Sequence, residues 1–345
     1  MADRLIDKLK EYLEPAQGRT VNLRDIRTAL RIEPGSEDDV GLRKHMSKTL
    51  VAQRIISPSG KGDGVYKVVK RVKPVSVFGV GRERRPVYDL IFPRNYDTMM
   101  ELDFAPFITV REGDLIVMGG VKSATKTTMC LNFCAENIDT HPILMGNEYT
   151  VMVSGHDGIE NYEPSPRFLN RLDAMDVKNG GWVEWINDGG QDKFTLLPVH
   201  EDHAEHIVRD RLNIIDWISL DGDRLYDIAT TLKNIKNNLG RGVAIVALQK
   251  GEGAANPRGG QFVRDYADAE LLLDDLGNQN YMLTVKGVKE STAPIVGNRY
   301  AYTVGSMGTK IIAFREIKTC PSCNGKKWYN GKECDTCVGR GYIDA

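Results

Sequence analysis

The stretch Asp114–Cys130 reads DLIVMGGVKSATKTTMC. Its first half, DLIVMG, is a short apolar run of the kind that forms a buried strand, and MCLNFCAEN continues beyond it as a helix. A strand that feeds directly into a helix aims backbone N–H groups and the positive helix end at any anion held in the connecting loop. Loops of this kind hold nucleotide phosphates: a lysine neutralises the β/γ charge and the next hydroxyl holds Mg²⁺. Gly120 is the first glycine of such a loop, Lys126 the lysine and Thr127 the hydroxyl, with Val121, Lys122, Ser123, Ala124 and Thr128 completing the cradle. Thr125 departs from the pattern. It takes the place of the second glycine, where backbone closely approaches phosphate, so its side chain is expected either to crowd the ligand or to have become a phosphate donor itself.

Outward from this loop, from about 99 to 317, the short apolar runs HPILMGNE, LNIIDWISL, GVAIVALQ and AELLLDD alternate with helical or polar stretches. That alternation predicts an α/β fold with a mainly parallel sheet covered by helices. Open sheets of this type bind ligands at their carboxyl edge. Glu148 lies just past the first of these strands, where a carboxylate polarises an attacking water. Asp216 lies near the end of LNIIDWISL and suits the Mg²⁺ shell. Gln249 and Lys250 end GVAIVALQ and bring an amide and a cation toward the γ-phosphate.

The succession GGVKSATKTT, ILMGNE, LNIIDWISL and DRLYDIATTLKNIKNNLGRGVAIVALQK resembles the ATPase core shared by RecA-type recombinases and DnaB-type replicative helicases, particularly their phage-encoded relatives. The resemblance covers roughly residues 100 to 290. Within it, KGEGAANPRGGQFVRDYADAELLL resembles the DNA-binding loop and following strand of the RecA type. It implies Glu148 as catalytic glutamate, Asp216 as the Walker B aspartate and Gln249 as the residue reporting γ-phosphate state to loop 250–260. It also implies a homo-oligomeric ring or filament, a hexamer among the options, with ATP sites between subunits and a basic residue donated in trans. Lys250, Arg258 and Arg264 are the candidates. Arg264, just before a buried strand, is preferred for the trans role, leaving Lys250 and Arg258 for DNA phosphates.

Residues 1–70 show three periodic segments, at 3–13, 22–30 and 40–53, followed by RIISPSGKGDGVYKVV, two strands around a glycine-rich turn. Asn22 is a candidate N-cap. Three helices and a two-stranded wing predict a winged helix-turn-helix with HMSKTLVAQRI as recognition helix, and Arg43, Lys44, Lys48 and Lys61 facing phosphates. A protein-docking module is the alternative. Residues 71–98, rich in Pro, Arg and Gly without sustained periodicity, read as a basic linker.

The tail, 318–345, contains CPSCNGKKWYNGKECDTC. Cys320, Cys323, Cys334 and Cys337 form two C-x₂-C pairs, the spacing of a closed Cys₄ structural Zn²⁺ site. CDTCVGRG also matches the repeat of DnaJ-type zinc modules, which implies a docking surface for protein or nucleic acid. Lys326, Lys327, Trp328 and Arg340 suit single-stranded nucleic acid by charge and stacking. PVHEDHAEHIV brings His200, His203 and His206 to spacings a metal could use, yet no cysteine accompanies them, and a polar loop is expected. Cys130 and Cys134, one helical turn apart, are expected to be core packing.

The formal net charge of −1 hides a polarity. Lys+Arg against Asp+Glu runs 14 to 10 over residues 1–70, 5 to 1 over 71–86, 20 to 32 over 87–309 and 7 to 4 over 310–345, so a polyanion would be met by the flanks or by local loops. No apolar run approaches the roughly 20 residues that span a bilayer. MADRLIDKLKEYLEP is an amphipathic charged helix rather than a signal peptide, so a cytoplasmic protein of a bacterium or phage-infected host is expected. The combined expectation is a DNA-associated ATPase of replication or recombination, partnered by single-stranded DNA and by other replication or recombination proteins. A non-hydrolysing nucleotide-sensing DNA-binding adaptor or loader is the alternative, and a small-molecule kinase is disfavoured by the flanking modules.

Overall fold

The structure is a computed structural model and describes residues 2–345 apart from 61, 63, 73, 75–85, 147, 154–160, 219–226 and 252–253. The chain divides into two units, Met1–Arg82 and Glu83–Ala345.

In the first unit, helix α1 (Ala2–Leu13) buries Leu5, Leu9 and Leu13, which recur every fourth residue. Strand β1 (Thr20–Asn22) leads into α2 (Leu23–Leu30), where the Asn22 side chain accepts the Asp25 N–H at 2.8 Å and caps the helix. Helix α3 (Glu37–Lys44) starts behind a Ser36 cap with three acidic residues in its first turn, then runs through a π turn, His45–Thr49, into α4 (Leu50–Ala52). Strands β2 (Ile56–Pro58) and β3 (Val65–Val68) pair antiparallel, and β1 adds to β3 as a third strand. The sequence did not announce β1, because three residues are too few to show a period. Lys61 lies outside the described residues.

The second unit begins earlier than the reading of a linker to residue 98 suggests. Tyr88 N–H bonds the Val110 carbonyl at 2.8 Å, Phe92 and Asn95 are buried, and the Phe92 ring meets Phe104 and Phe133 edge-on. Arg94, in the short strand β4 (Arg94–Asn95) that pairs with β5 (Met100–Glu101), forks onto Glu136 with both nitrogens. This segment is held by irregular backbone bonds and aromatic contacts, which leave no periodic trace in the sequence.

The rest is built on a ten-stranded sheet. Its elements are β6 (Leu115–Gly120), α5 (Lys126–Glu136), β7 (Ile143–Gly146), the hairpin β8 (Thr150–Val153) and β9 (Asn161–Pro164), α6 (Pro166–Met175), β10 (Thr195–Leu197), β11 (Leu212–Ile218), α7 (Asp227–Asn238), β12 (Val243–Gln249), α8 (Gln261–Tyr266) and β13 (Ala269–Gly277). Then come β14 (Asn280–Val288), β15 (Arg299–Gly305), β16 (Lys310–Thr319), the hairpin β17 (Trp328–Tyr329) and β18 (Lys332–Glu333), and β19 (Tyr342–Asp344). The order is β10-β7-β11-β12-β6-β13-β14-β15-β16-β19, parallel from β10 to β13 and antiparallel beyond. Helix α5 packs Met129, Cys130, Phe133 and Cys134 on one face, and α7 packs Ile228, Leu232 and Ile235 on the other. Burial on both faces is why β6, β7 and most of β12 read as unbroken apolar runs. The fold is α/β, with helices packed on both faces of the parallel part of the sheet.

The tail is not a separate appendage. Residue 318 falls inside β16, and β19 returns to pair with it, Thr319 against Tyr342 and Ile317 against Asp344. The cysteine module is thus an insertion between two neighbouring strands of the main sheet.

Candidate nucleotide site and cysteine centre

Parallel strands deliver their carboxyl ends to one edge, and register decides which residues meet there. Gly120 pairs with Gln249, and Gly146 with Asp216. These ends border an open cavity of about 740 Å³, a size that accommodates a nucleotide, lined among others by Lys126, Thr127, Glu148, Gln249 and Tyr281.

Within the loop, Ser123 and Thr125 both have left-handed backbone, φ 63° and 59°. This conformation explains why glycine is the usual occupant at the position of Thr125. Thr125 lines the cavity, and its hydroxyl is already engaged within the protein. Its hydroxyl donates to the Ala124 carbonyl at 2.8 Å and meets the Tyr302 hydroxyl at 2.6 Å. Lys126, the first residue of α5, folds back so that Nζ donates to the carbonyls of Gly120 (3.1 Å) and Val121 (2.8 Å). Burial lowers its affinity for a proton, opposed by Asp216. A Cβ on Gly120 would stand 3.0 Å from the Lys126 Cγ, so the glycine makes room for the lysine stem.

Asp216 is fully enclosed at the sheet edge. Its Oδ2 accepts the Tyr149 hydroxyl at 2.8 Å, while Oδ1 is buried with no hydrogen-bond partner. Burial raises its carboxyl above the usual range, and the nearby Thr127 and Tyr149 hydroxyls oppose that rise. An orphaned carboxylate oxygen beside a threonine hydroxyl fits a Mg²⁺ ion and its water shell, which Thr127 and Asp216 would hold. Glu148 is exposed on the cavity wall, and its carbonyl accepts the Ser165 hydroxyl at 2.9 Å. Gln249 is half-buried at the end of β12.

The basic residues differ from expectation. Lys250 is 5% exposed, with its ammonium ion-paired to Asp274, so it does not reach out to DNA. Lys250 follows the last residue of β12, and its partner Asp274 lies two strands away on β13 with β6 between, which the sequence of the loop alone does not reveal. Arg264 lies on α8 with Nε 3.4 Å from buried Glu270. Arg258 is exposed, and its N–H bonds the Gln249 carbonyl at 2.9 Å. In the first unit, Lys44 and Lys48 are exposed, but Arg43 is tied to buried Asp39 at 3.2 Å, sharing it with Arg27. Sequence reasoning missed Arg171 and Tyr281 on the cavity wall and Tyr302 against Thr125, none of which carries a motif; only the Ser165–Pro166 helix start places Arg171 on a helix at all.

The four tail cysteines are buried, with all four sulfurs within 4.8 Å of one another. Cys320 and Cys334 are 3.8 Å apart and Cys323 and Cys337 3.6 Å. Disulfide sulfurs would sit at about 2.05 Å, whereas tetrahedral ligands on zinc at about 2.3 Å lie roughly 3.8 Å apart. Backbone N–H groups of Cys323 and Ser322 pull the Cys320 thiol down to about 7, while burial lifts Cys337 to about 11. Thiols sharing one volume ionise together only around a cation, so the arrangement is compatible with zinc. The histidine stretch does not converge in this way: His203 is buried, and desolvation lowers it to about 4. Among the described residues, no helix is long and apolar enough to cross a membrane.

No protein-family model matches the chain, and no curated protein matches it in sequence. Among solved structures, it is similar to a KaiC-like protein from the hyperthermophilic archaeon Pyrococcus horikoshii, at 15% identity and a TM-score of 0.41 over 66% of this chain and 99% of that one. It is also similar to the RadB recombinase, at 14% identity and a TM-score of 0.39 over 59% of this chain and 90% of that one.

Proposed function

We propose that the protein is a DNA-associated ATPase. One observation carries this reading: Lys126, Thr127, Glu148 and Gln249, from three separate strand ends, line one nucleotide-sized cavity, with Asp216 enclosed beside it. Lys126 and the start of α5 hold the phosphates, Glu148 orients a water for in-line attack, and Thr127 with Asp216 would hold Mg²⁺, which screens the phosphate charge when bound. Gln249 reports the state of the γ-phosphate to loop 250–260 through the bond between its carbonyl and the Arg258 N–H.

The DNA is single-stranded in this reading. Supporting it are exposed Arg258, exposed Lys44 and Lys48 on the helix of a winged-helix domain, and the tail's Trp328 and Tyr329, 62% and 57% exposed beside Lys326 and Lys327. The active form is a ring or filament, Arg264 reaches a neighbouring subunit, and zinc fills the cysteine centre. ATP turnover measured with and without single-stranded DNA tests the whole: stimulated hydrolysis is expected. Nucleotide binding with no turnover in either condition would favour a nucleotide-sensing adaptor instead.

A further inference from the structure

The cavity holds a cation that the strand-end pattern does not account for. Arg171 lines it together with Lys122, Lys126 and Glu148. It comes from α6, whose N-cap Ser165 accepts the Phe168 N–H and donates to the Glu148 carbonyl, so the helix is tied to the backbone of the proposed water-activating residue. Phe168 and Met175 anchor the inner face of α6, and Arg171 is three residues from one and four from the other, on the same face. Its guanidinium reaches the turn Ser306–Gly308, where Nη2 stands 4.0 Å from the Cβ position of Gly308. The Gly308 carbonyl in turn accepts the Thr128 hydroxyl of the phosphate-loop helix at 2.7 Å. The Arg171 side chain is half-buried, and among the described residues it has neither an ion pair nor a hydrogen bond. Of the three basic residues considered for the trans role, Lys250 is paired with Asp274, Arg264 stands 3.4 Å from Glu270 and Arg258 is exposed, and none of them is in the lining of this cavity.

A half-enclosed guanidinium without an anion, set in a cavity whose other cations surround a phosphate loop, is incomplete until an anion arrives. We infer that Arg171 is a cis-acting phosphate contact: it binds the polyphosphate of the nucleotide held by its own chain and supplies positive charge that the family resemblance assigns to a neighbouring subunit. The inference rests on the nucleotide reading of the cavity. No bond is made or broken by Arg171; it contributes charge and hydrogen bonds to phosphate oxygens.

The test compares wild type, Arg171→Ala, Arg171→Lys and Lys126→Ala in equilibrium titrations with Mg-ATP and with adenosine, alongside steady-state hydrolysis and thermal melts. Arg171→Ala should weaken ATP binding or kcat/KM by about 10- to 100-fold, the equivalent of losing one charge-assisted contact. Adenosine binding should be unchanged, and Arg171→Lys should recover part of the loss. An Arg171→Ala protein that melts like wild type and handles ATP like wild type overturns the inference while leaving the nucleotide site intact. Equal weakening for ATP and adenosine, or no recovery with lysine in a folded protein, assigns Arg171 a structural role and also overturns it. Wild type that fails to bind ATP removes the nucleotide reading itself, and this inference with it. Mixing Arg171→Ala with Lys126→Ala subunits separates cis from trans: no restored turnover is expected, and restoration would place the arginine in trans.

Discussion

The Thr125 hydroxyl and the Tyr302 hydroxyl meet at 2.6 Å, linking the loop before α5 to strand β15 in the antiparallel part of the sheet. A threonine at φ 59° carries strain of about 1 kcal/mol relative to glycine. The hydroxyl pair, fixed on the fully buried Tyr302, offsets it. Thr125→Gly relieves the strain and loses the bond, so ATP affinity should stay within about threefold of wild type, because the hydroxyl is already engaged by Tyr302. Thr125→Val keeps the strain and strands the Tyr302 hydroxyl, which should lower stability by about 1–3 kcal/mol in denaturant titrations. A tenfold change in ATP affinity for Thr125→Gly would show that the side chain does meet the nucleotide.

Glu148 is exposed on the wall of the cavity that Lys126 and Thr127 also line. Glu148→Gln should bind ATP as wild type does and lower turnover by roughly 10²–10⁴, the contribution of a positioned general base. Single-turnover kinetics would check this, and normal turnover would place the base elsewhere.

Asp216 gives a prediction with a defined sign. Burial raises its carboxyl above the ordinary 3.8, so the folded chain binds that proton more tightly than the unfolded chain does. The unfavourable contribution is absent below 3.8, grows as pH rises through the raised value, and persists at neutral pH. Asp216→Asn should therefore melt higher than wild type at pH 7 and show no such gain at pH 3.5, while weakening Mg²⁺ dependence by roughly 10- to 100-fold. A lower melting temperature at pH 7 would mean that the carboxylate is favourably compensated where it lies.

Cys334→Ser should abolish zinc binding, and hydrogen exchange should rise over residues 320–341. Because Cys320 N–H bonds the Gly341 carbonyl at 3.1 Å and β19 continues from that residue, protection in Tyr342–Asp344 should fall too, with β6 and β12 unaffected. A wild-type protein that contains no zinc by elemental analysis would remove the metal from the account.

Much of the core was legible because parallel strands buried on both faces leave unbroken apolar runs, and because Gly120, Lys126 and Thr127 sit at fixed spacing after one of them. The C-x₂-C pairs were legible for the same reason: their chemistry is local. What escaped was set by distant partners. Nothing in the sequence near Lys250 announces Asp274, nothing near Thr125 announces Tyr302, and nothing near Arg171 shows which face of its helix meets the cavity. The packed segment 86–98 escaped because backbone bonds to irregular neighbours impose no repeat.

The central claim is that the cavity at the carboxyl edge holds ATP through Lys126. Titrating Mg-ATP into wild type and into Lys126→Ala, with melts to confirm that both are folded, tests it most directly. The account predicts saturable binding by wild type and its loss in the variant, since the ammonium and the start of α5 supply the phosphate charge. Equal binding by both proteins, or none by wild type, would contradict it.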